Sequence, residues 1–143
     1  YIQSGNVVFQ TRRDDAENLA EEIGAAIEKR HGFTPRVMLL SLADLQTAVA
    51  QNPFSEATEN HKTLHFYFLA AKPTNPDLAK LEALKTEREQ FKLTDAVFYL
   101  HAPDGIGRSK LAENVERALG VPTTARNWRT VSKVLEMATA VSR

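Results

Sequence analysis

The chain has 143 residues, of which 43% are hydrophobic and 25% charged, a composition typical of one soluble globular domain or two small subdomains. Eighteen lysines and arginines balance eighteen aspartates and glutamates, so no global field draws the protein to nucleic acid or an anionic membrane. The absence of cysteine excludes disulfides, a thiol nucleophile and thiolate metal sites.

The apolar runs, such as residues 64–71, are far too short to span a bilayer, and no signal-peptide pattern opens the chain. We therefore expect a cytoplasmic protein without a membrane partner. The chain starts at Tyr1 directly in strand-like sequence, with no preceding turn or cap. This start predicts the remainder of a longer protein.

The first third of the chain predicts strands around a helix. Residues 1–10 carry β-branched and aromatic residues on both sides of Ser4-Gly5-Asn6, which is typical of two strands joined by a tight turn. Asp14 and Asp15 then open a helix, which has apolar residues at helical spacing and ends at Gly32. Residues 36–40 are predicted to form another short strand.

The middle of the chain alternates helices and strands. Ser41 and Asp44 form a capping-box pattern at the start of a helix. After a polar linker, residues 63–70 predict a strand, and Asn75-Pro76 is expected to cap the next helix. Two strands at residues 89–93 and 96–101 are close enough to form a hairpin.

Two helices are predicted at the C-terminal end, one ending at Gly120 and one starting near Asn127. The order of elements contains pieces of the split βαβ plan. We therefore predict an α+β fold with two ferredoxin-like subdomains. The first, residues 1–54, is N-terminally incomplete, and the second, residues 62–143, carries the C-terminal helices.

Four ordered motifs carry a family resemblance: Tyr1-Ile-Gln-Ser-Gly-Asn-Val-Val-Phe9, Asn52-Pro53-Phe54, Pro103-Asp-Gly-Ile-Gly-Arg-Ser-Lys110 and Thr124-Ala-Arg-Asn-Trp-Arg-Thr-Val131. The chain resembles, over essentially its whole length, the bacterial family called domain of unknown function 1697. The resemblance implies two ferredoxin-like subdomains and no established activity. Members of this family typically begin with a strand, an Arg-Gly-Ile-Asn-Val-Gly-Gly loop and a helix, none of which is present in this sequence.

A glycine loop between a predicted strand and a predicted helix is the first candidate site, and its residues are Gly105, Gly107, Arg108, Ser109 and Lys110. A helix that begins after such a loop presents unpaired N–H groups and the positive end of its dipole, so we expect an anion to bind there. The spacing matches neither GxGxxG nor GxxxxGK. The alternative is a simple turn whose cations pair with Asp104, Glu113 or solvent.

A basic face near the C-terminus is the second candidate. Arg126, Arg129 and Lys133 share one side of a helical wheel, and residues 120–135 contain no acidic residue. This face is predicted to form a second rim around the anion site. The two predicted C-terminal helices, within residues 109–137, also suggest a helix-turn-helix. A merely solvated basic face is the alternative.

Aromatic and imidazole side chains on the strands suggest a third surface. Alternation places His65 with Tyr67, and Tyr99 with His101, so coinciding faces would form a base-stacking sheet like those that bind RNA. The alternative is that the rest of the protein covers this face. The two histidines lack a third metal ligand, so neither a metal nor another cofactor is predicted. Trp128 is predicted to anchor the core.

Three functional hypotheses follow. The first is a non-catalytic binding module for a ligand that carries phosphate or carboxylate, with nucleic acid as a possible macromolecular partner. The second is a small enzyme that acts on an anionic metabolite bound at the same glycine-loop site, with His101 or His65 as acid or base. The third is a protein-interaction or assembly domain. The sequence leaves the oligomeric state open.

Overall fold

The structure, a computed structural model, describes residues 5–33 and 35–142. The helices in these ranges are α1 Ala16–His31, α2 Leu42–Ala50, α3 Leu78–Leu84, α4 Lys110–Leu119 and α5 Trp128–Val141. The strands are β1 Leu64–Leu69, β2 Gln90–Leu93, β3 Val97–His101 and β4 Thr123–Asn127. Short 3-10 helices occupy Ser55–Glu59 and His61–Thr63.

The four strands form one antiparallel sheet in the order β2-β3-β1-β4. From β1 to β4 the chain runs strand, helix, strand, strand, helix, strand, which is the ferredoxin-like arrangement. The predicted α+β class is therefore confirmed. The division between residues 54 and 62 stays a prediction. Helix α2, from the first part, packs directly on the sheet of the second.

Helices cover both faces of this sheet. On one face, Tyr67 and Leu100 pack against α3 and α4 through Leu81, Leu111 and Val115. On the other face, the side chains in contact with α2 and α5 are Leu64, Phe66, Phe68, Val97 and Tyr99. Strands β1 and β3 alternate between these two cores, and the five strand residues Leu64, Phe66, Phe98, Tyr99 and Leu100 are completely buried.

The helix ends follow local chemistry. Ser41 and Asp44 form the predicted capping box of α2, and Gly32 and Gly120 end α1 and α4 with left-handed φ values of 80° and 74°. The predicted cap of α3 at Asn75-Pro76 is wrong. Asp77 caps this helix, because its carboxylate accepts the Lys80 amide at 3.1 Å.

Two predicted strands are absent. The described part of residues 1–10, from Gly5 onward, and residues 36–40 have no strand structure. Within residues 5–33 and 35–142, neither segment shares backbone hydrogen bonds with a strand of the sheet, so neither has the ladder that a strand requires. The predicted turn at Ser4-Gly5-Asn6 lies partly outside the described residues.

One strand was missed. Residues 123–127 form β4, which pairs with β1 and separates α4 from α5. The helix-turn-helix hypothesis is therefore wrong, since that motif requires two helices joined by a short turn.

Candidate functional site

The glycine loop makes a tight turn that uses part of its own hydrogen-bonding capacity. Gly105 has a φ of 85°, and its amide donates to the Ala102 carbonyl at 2.8 Å. The Ser109 amide donates to the Ile106 carbonyl at 3.2 Å, and the Ser109 hydroxyl accepts the Ala112 amide at 3.0 Å as the cap of α4. The amides of Gly107 and Arg108 have no acceptor among the described residues.

The charges beside this loop are only partly paired. Asp104 forms an ion pair with Arg88 at 3.1 Å rather than with a cation of the loop. Arg108 and Lys110 are exposed, and neither forms an ion pair with a described residue. The loop is therefore an open cationic surface.

Arg126 lies on β4 and not on the last helix, so the predicted helical face does not include it. Its guanidinium donates to the Asn6 side chain at 2.9 Å, to the Ala125 carbonyl at 2.8 Å and to the Gly5 carbonyl at 3.3 Å. All three acceptors are neutral. Arg126 is half-buried, and this burial lowers its pKa from the ordinary value.

A cavity of about 470 Å³ opens at the first turns of α5, and we call it the α5 pocket. Its lining residues are Asn6, His61, Asn127, Arg129, Thr130, Lys133, Val134 and Met137. Asn127 caps α5, because its side chain accepts the Thr130 amide at 3.0 Å. The lining contains three basic side chains and no carboxylate.

The basic groups of the α5 pocket are largely available to a ligand. Arg129 is exposed and forms no ion pair within the described part of the chain. Lys133 has one weak partner, Glu136, at 3.9 Å on the exposed side of α5. The positive end of the α5 dipole adds to the field at the same place.

The structure divides the predicted site residues into two groups. Gly105, Gly107, Arg108, Ser109 and Lys110 surround the start of α4, whereas Arg126 and Arg129 belong to the end of β4 and the start of α5. The sheet lies between α4 and α5, because the two helices pack on opposite faces. No residue of the glycine loop lines the α5 pocket.

Asn6 and His61 are lining residues that sequence analysis missed. They come from parts of the chain far from α5; Asn6 stands in the first family motif, which was read as a turn between strands, and His61 stands in no motif. The signal for Arg129 and Lys133 was the run of sequence without acidic residues. No comparable charge pattern marks Asn6 or His61 as a site residue.

The strand histidines do not share a surface. His65 pairs with Leu100, and Tyr99 pairs with Phe66, so the predicted pairs of His65 with Tyr67 and Tyr99 with His101 occupy opposite faces. Helices cover both faces, and Trp128 packs on Phe66 with ring centroids 5.7 Å apart, as predicted for a core anchor. A base-stacking sheet like those of RNA-binding proteins is therefore not formed.

His65 is buried, and this burial lowers its pKa. Its Nδ1 atom has no hydrogen-bond partner among the described residues. His65 and His101 line neither the α5 pocket nor the cavity beside α1 described next. Residues 5–33 and 35–142 contain no group of three His, Asp or Glu side chains placed to hold a metal ion.

A cavity of about 460 Å³ beside α1 has a different character. It is lined by Arg13 with acidic and small residues, and Arg13 forms ion pairs with Asp15, at 2.6 Å, and with Glu22. The positive charge in this cavity is already compensated, so the cavity has little attraction for an anion.

Among the described helices, none is both long enough and apolar enough to cross a membrane.

Comparisons with known proteins place the chain in a family. The model of the family described as "Protein of unknown function (DUF1697)" matches residues 1–99. The chain belongs to the DUF1697 family. The match ends before the glycine loop and α5, so it is shorter than the whole-chain resemblance that the sequence motifs suggested.

A solved structure shares the fold of this DUF1697 protein. It is that of a conserved bacterial protein from Streptococcus pneumoniae, with 20% sequence identity and a TM-score of 0.55. The similarity covers 88% of this chain and 72% of the other. No curated protein shows a significant match.

Proposed function

We propose that this DUF1697 protein is a non-catalytic binding module for a ligand that carries phosphate or carboxylate, and that the α5 pocket is its binding site. The observation that carries this proposal is the composition of the pocket lining, in which Arg129, Lys133 and His61 meet without a carboxylate. Such a cluster on an otherwise neutral chain attracts anions locally.

Each basic group has a distinct role in this proposal. Arg129 supplies a planar guanidinium that can hold two oxygens of one phosphate or carboxylate. Lys133 lies one helical turn further along α5 and adds a compact positive charge. His61 faces the same cavity from the 3-10 helix before β1 and contributes a further donor.

Nucleic acid is the macromolecular ligand that we propose for this chemistry, since its backbone presents repeated phosphates. Arg108 and Lys110 of the glycine loop are then additional contacts for a long ligand, whereas a small anion needs the α5 pocket alone. A salt titration tests this version, because phosphate contacts release counterions and affinity falls as salt rises. Undetectable oligonucleotide binding at low ionic strength would contradict it.

The direct test compares calorimetric titrations of inorganic phosphate and of nucleoside monophosphates into the protein and its variants. Arg129→Ala is expected to weaken binding by about tenfold, the effect of losing one charge-assisted contact. Arg117→Ala is the matched control, because Arg117 is exposed in the last turn of α4 and does not line the α5 pocket. Equal effects of the two substitutions would contradict the proposed site.

The expected cytoplasmic location stays a prediction that cell fractionation can test.

A further inference from the structure

We infer that the α5 pocket selects ligands with two adjacent anionic groups, such as a diphosphate, and that Arg126 is the residue that makes this selection. The inference rests on the proposed function, since it assigns the ligand class of the same pocket. It begins from a cation that the pocket lining does not include but that touches a lining residue.

Hydrogen bonds hold the guanidinium of Arg126 in place and leave some of its N–H donors unused. An arginine has five N–H donors. Three hydrogen bonds, to Asn6, Ala125 and Gly5, use one donor on Nε and one on each terminal nitrogen. One N–H therefore remains on each terminal nitrogen, and these are the donors that suit an oxyanion.

The charge of Arg126 lacks compensation. Its acceptors are an amide and two carbonyl oxygens, and it forms no ion pair with a described residue. Its side chain is half-buried, so water solvates the charge incompletely. An anion bound next to Arg126 gains more from this charge than from a fully hydrated one.

Asn6 connects Arg126 to the α5 pocket. The Oδ1 atom of Asn6 accepts from Arg126, and the same residue lines the pocket. In the β1–β4 register Arg126 stands opposite Phe66, so its side chain lies on the face of the sheet that α5 covers. Arg126 is therefore adjacent to the pocket on the side of the N-terminal segment.

The cations thus occupy two separate positions around one cavity. Arg129 and Lys133 lie one turn apart on α5 and form the first position, whereas Arg126 approaches from β4 beside Asn6 and forms the second. A monophosphate fills the first position only. A diphosphate has a second anionic group to place beside Arg126, so it makes contacts that the monophosphate does not.

The experiment is a pair of calorimetric titrations, with inorganic phosphate and with pyrophosphate, at equal ionic strength in a buffer free of both. The unmodified protein is expected to bind pyrophosphate at least about tenfold more tightly. Arg126→Gln should reduce this preference to what the larger net charge of pyrophosphate alone produces, while the affinity for phosphate changes by less than about twofold. Arg129→Ala should weaken both ligands.

A second variant protects the test against loss of the fold. Asn6→Asp keeps Arg126 and gives it a carboxylate partner, so the melting temperature should hold or rise while the preference for pyrophosphate disappears. An unchanged preference in either Arg126→Gln or Asn6→Asp would overturn the inference. If the unmodified protein bound neither anion, or if Arg129→Ala left the affinity for both anions unchanged, the proposed function would be overturned instead.

Discussion

The hydroxyl of Ser109 has a structural role as a helix cap, and this role makes it less available to a ligand. It accepts the Ala112 amide and caps α4, and the residue is buried. We predict that Ser109→Ala lowers the free energy of unfolding by about 1 kcal/mol, whereas Ser109→Thr, which keeps the hydroxyl, retains most of it. Urea denaturation measures both. Phosphate affinity should be the same in the two variants, and its loss in a fully stable Ser109→Ala protein would show that Ser109 is a ligand contact.

Glu116 links three parts of the chain through one carboxylate. It accepts from the Thr123 amide at 2.8 Å, from Arg36 at 2.8 Å and from the Thr123 hydroxyl at 3.2 Å. The Thr123 amide and then Arg36 lower the pKa of Glu116 below its ordinary value of 4.5. These contacts therefore stabilise the protein above pH 4.5, and their effect is lost as the pH falls through the lowered pKa.

The corresponding prediction concerns Glu116→Gln. At neutral pH this substitution should lower the free energy of unfolding by up to about 1 kcal/mol, a limit set by the exposure of the carboxylate to solvent. The difference from the unmodified protein should shrink as urea denaturation is repeated at falling pH. Glu87→Gln removes an equal charge from an exposed carboxylate without an ion pair in the described chain, so it should show no such trend.

At the scale of elements, one hydrogen bond attaches α2 to the sheet. The Tyr99 hydroxyl donates to the Ala48 carbonyl at 2.6 Å, in the last turn of α2, where helix carbonyls lack partners of their own. Burial also raises the pKa of Tyr99 to about 12, so the hydroxyl keeps its proton throughout the neutral range.

Removal of this hydroxyl should loosen the docking of α2. Tyr99→Phe leaves the Ala48 carbonyl without a protein donor and is expected to cost about 1–3 kcal/mol of unfolding free energy. Tyr67→Phe is the matched control on the opposite face, because the Tyr67 hydroxyl makes no hydrogen bond to a described residue. Equal costs for both variants would contradict the assigned role of the bond.

The elements differ in how far the sequence could predict them. Residues 64–69 and 97–101 combine apolar and β-branched or aromatic residues, and both strands were predicted within one or two positions. Thr123-Thr-Ala-Arg-Asn127 has no apolar alternation, so β4 was missed. It forms because β1 offers a free edge, and the backbone ladder does not depend on side-chain pattern.

Residues 7–10 and 36–40 show the converse. Their β-like composition predicts strands, yet a strand also needs a neighbour, which a local pattern cannot supply. The faces of strands were similarly limited. Alternation correctly grouped His65 with Tyr67 and Tyr99 with His101, but only the register between β1 and β3 shows that the pairs point in opposite directions.

At the scale of the whole molecule, the candidate site depends on long-range assembly. Asn6, His61 and Arg129 reach one cavity from three distant parts of the chain. A sequence scan finds cations that cluster locally, such as Arg129 with Lys133. It does not find the partners that the fold adds, and it joined Arg126 to the glycine loop although the sheet separates α5 from α4.

Stability is also unevenly distributed over the molecule, and hydrogen exchange should reveal it. Of the 16 residues of α1 only Gly24 is buried, whereas the 10 residues of α4 include the buried Leu111, Val115, Ala118 and Leu119. Local opening costs least where few apolar contacts are lost. We therefore predict that α1 amides exchange about a hundredfold or more faster than α4 amides, after correction for intrinsic rates.

Mass-spectrometric exchange at neutral pH measures both helices in one sample, so α4 serves as the internal reference. A variant in the core should separate them further. Val115→Ala removes buried contacts of α4 and should raise exchange in α4 and the sheet, while α1, which already opens locally, changes little. Equal protection of α1 and α4 in the unmodified protein would contradict this order of stability. A parallel rise in both helices in the variant would show instead that they open as one unit.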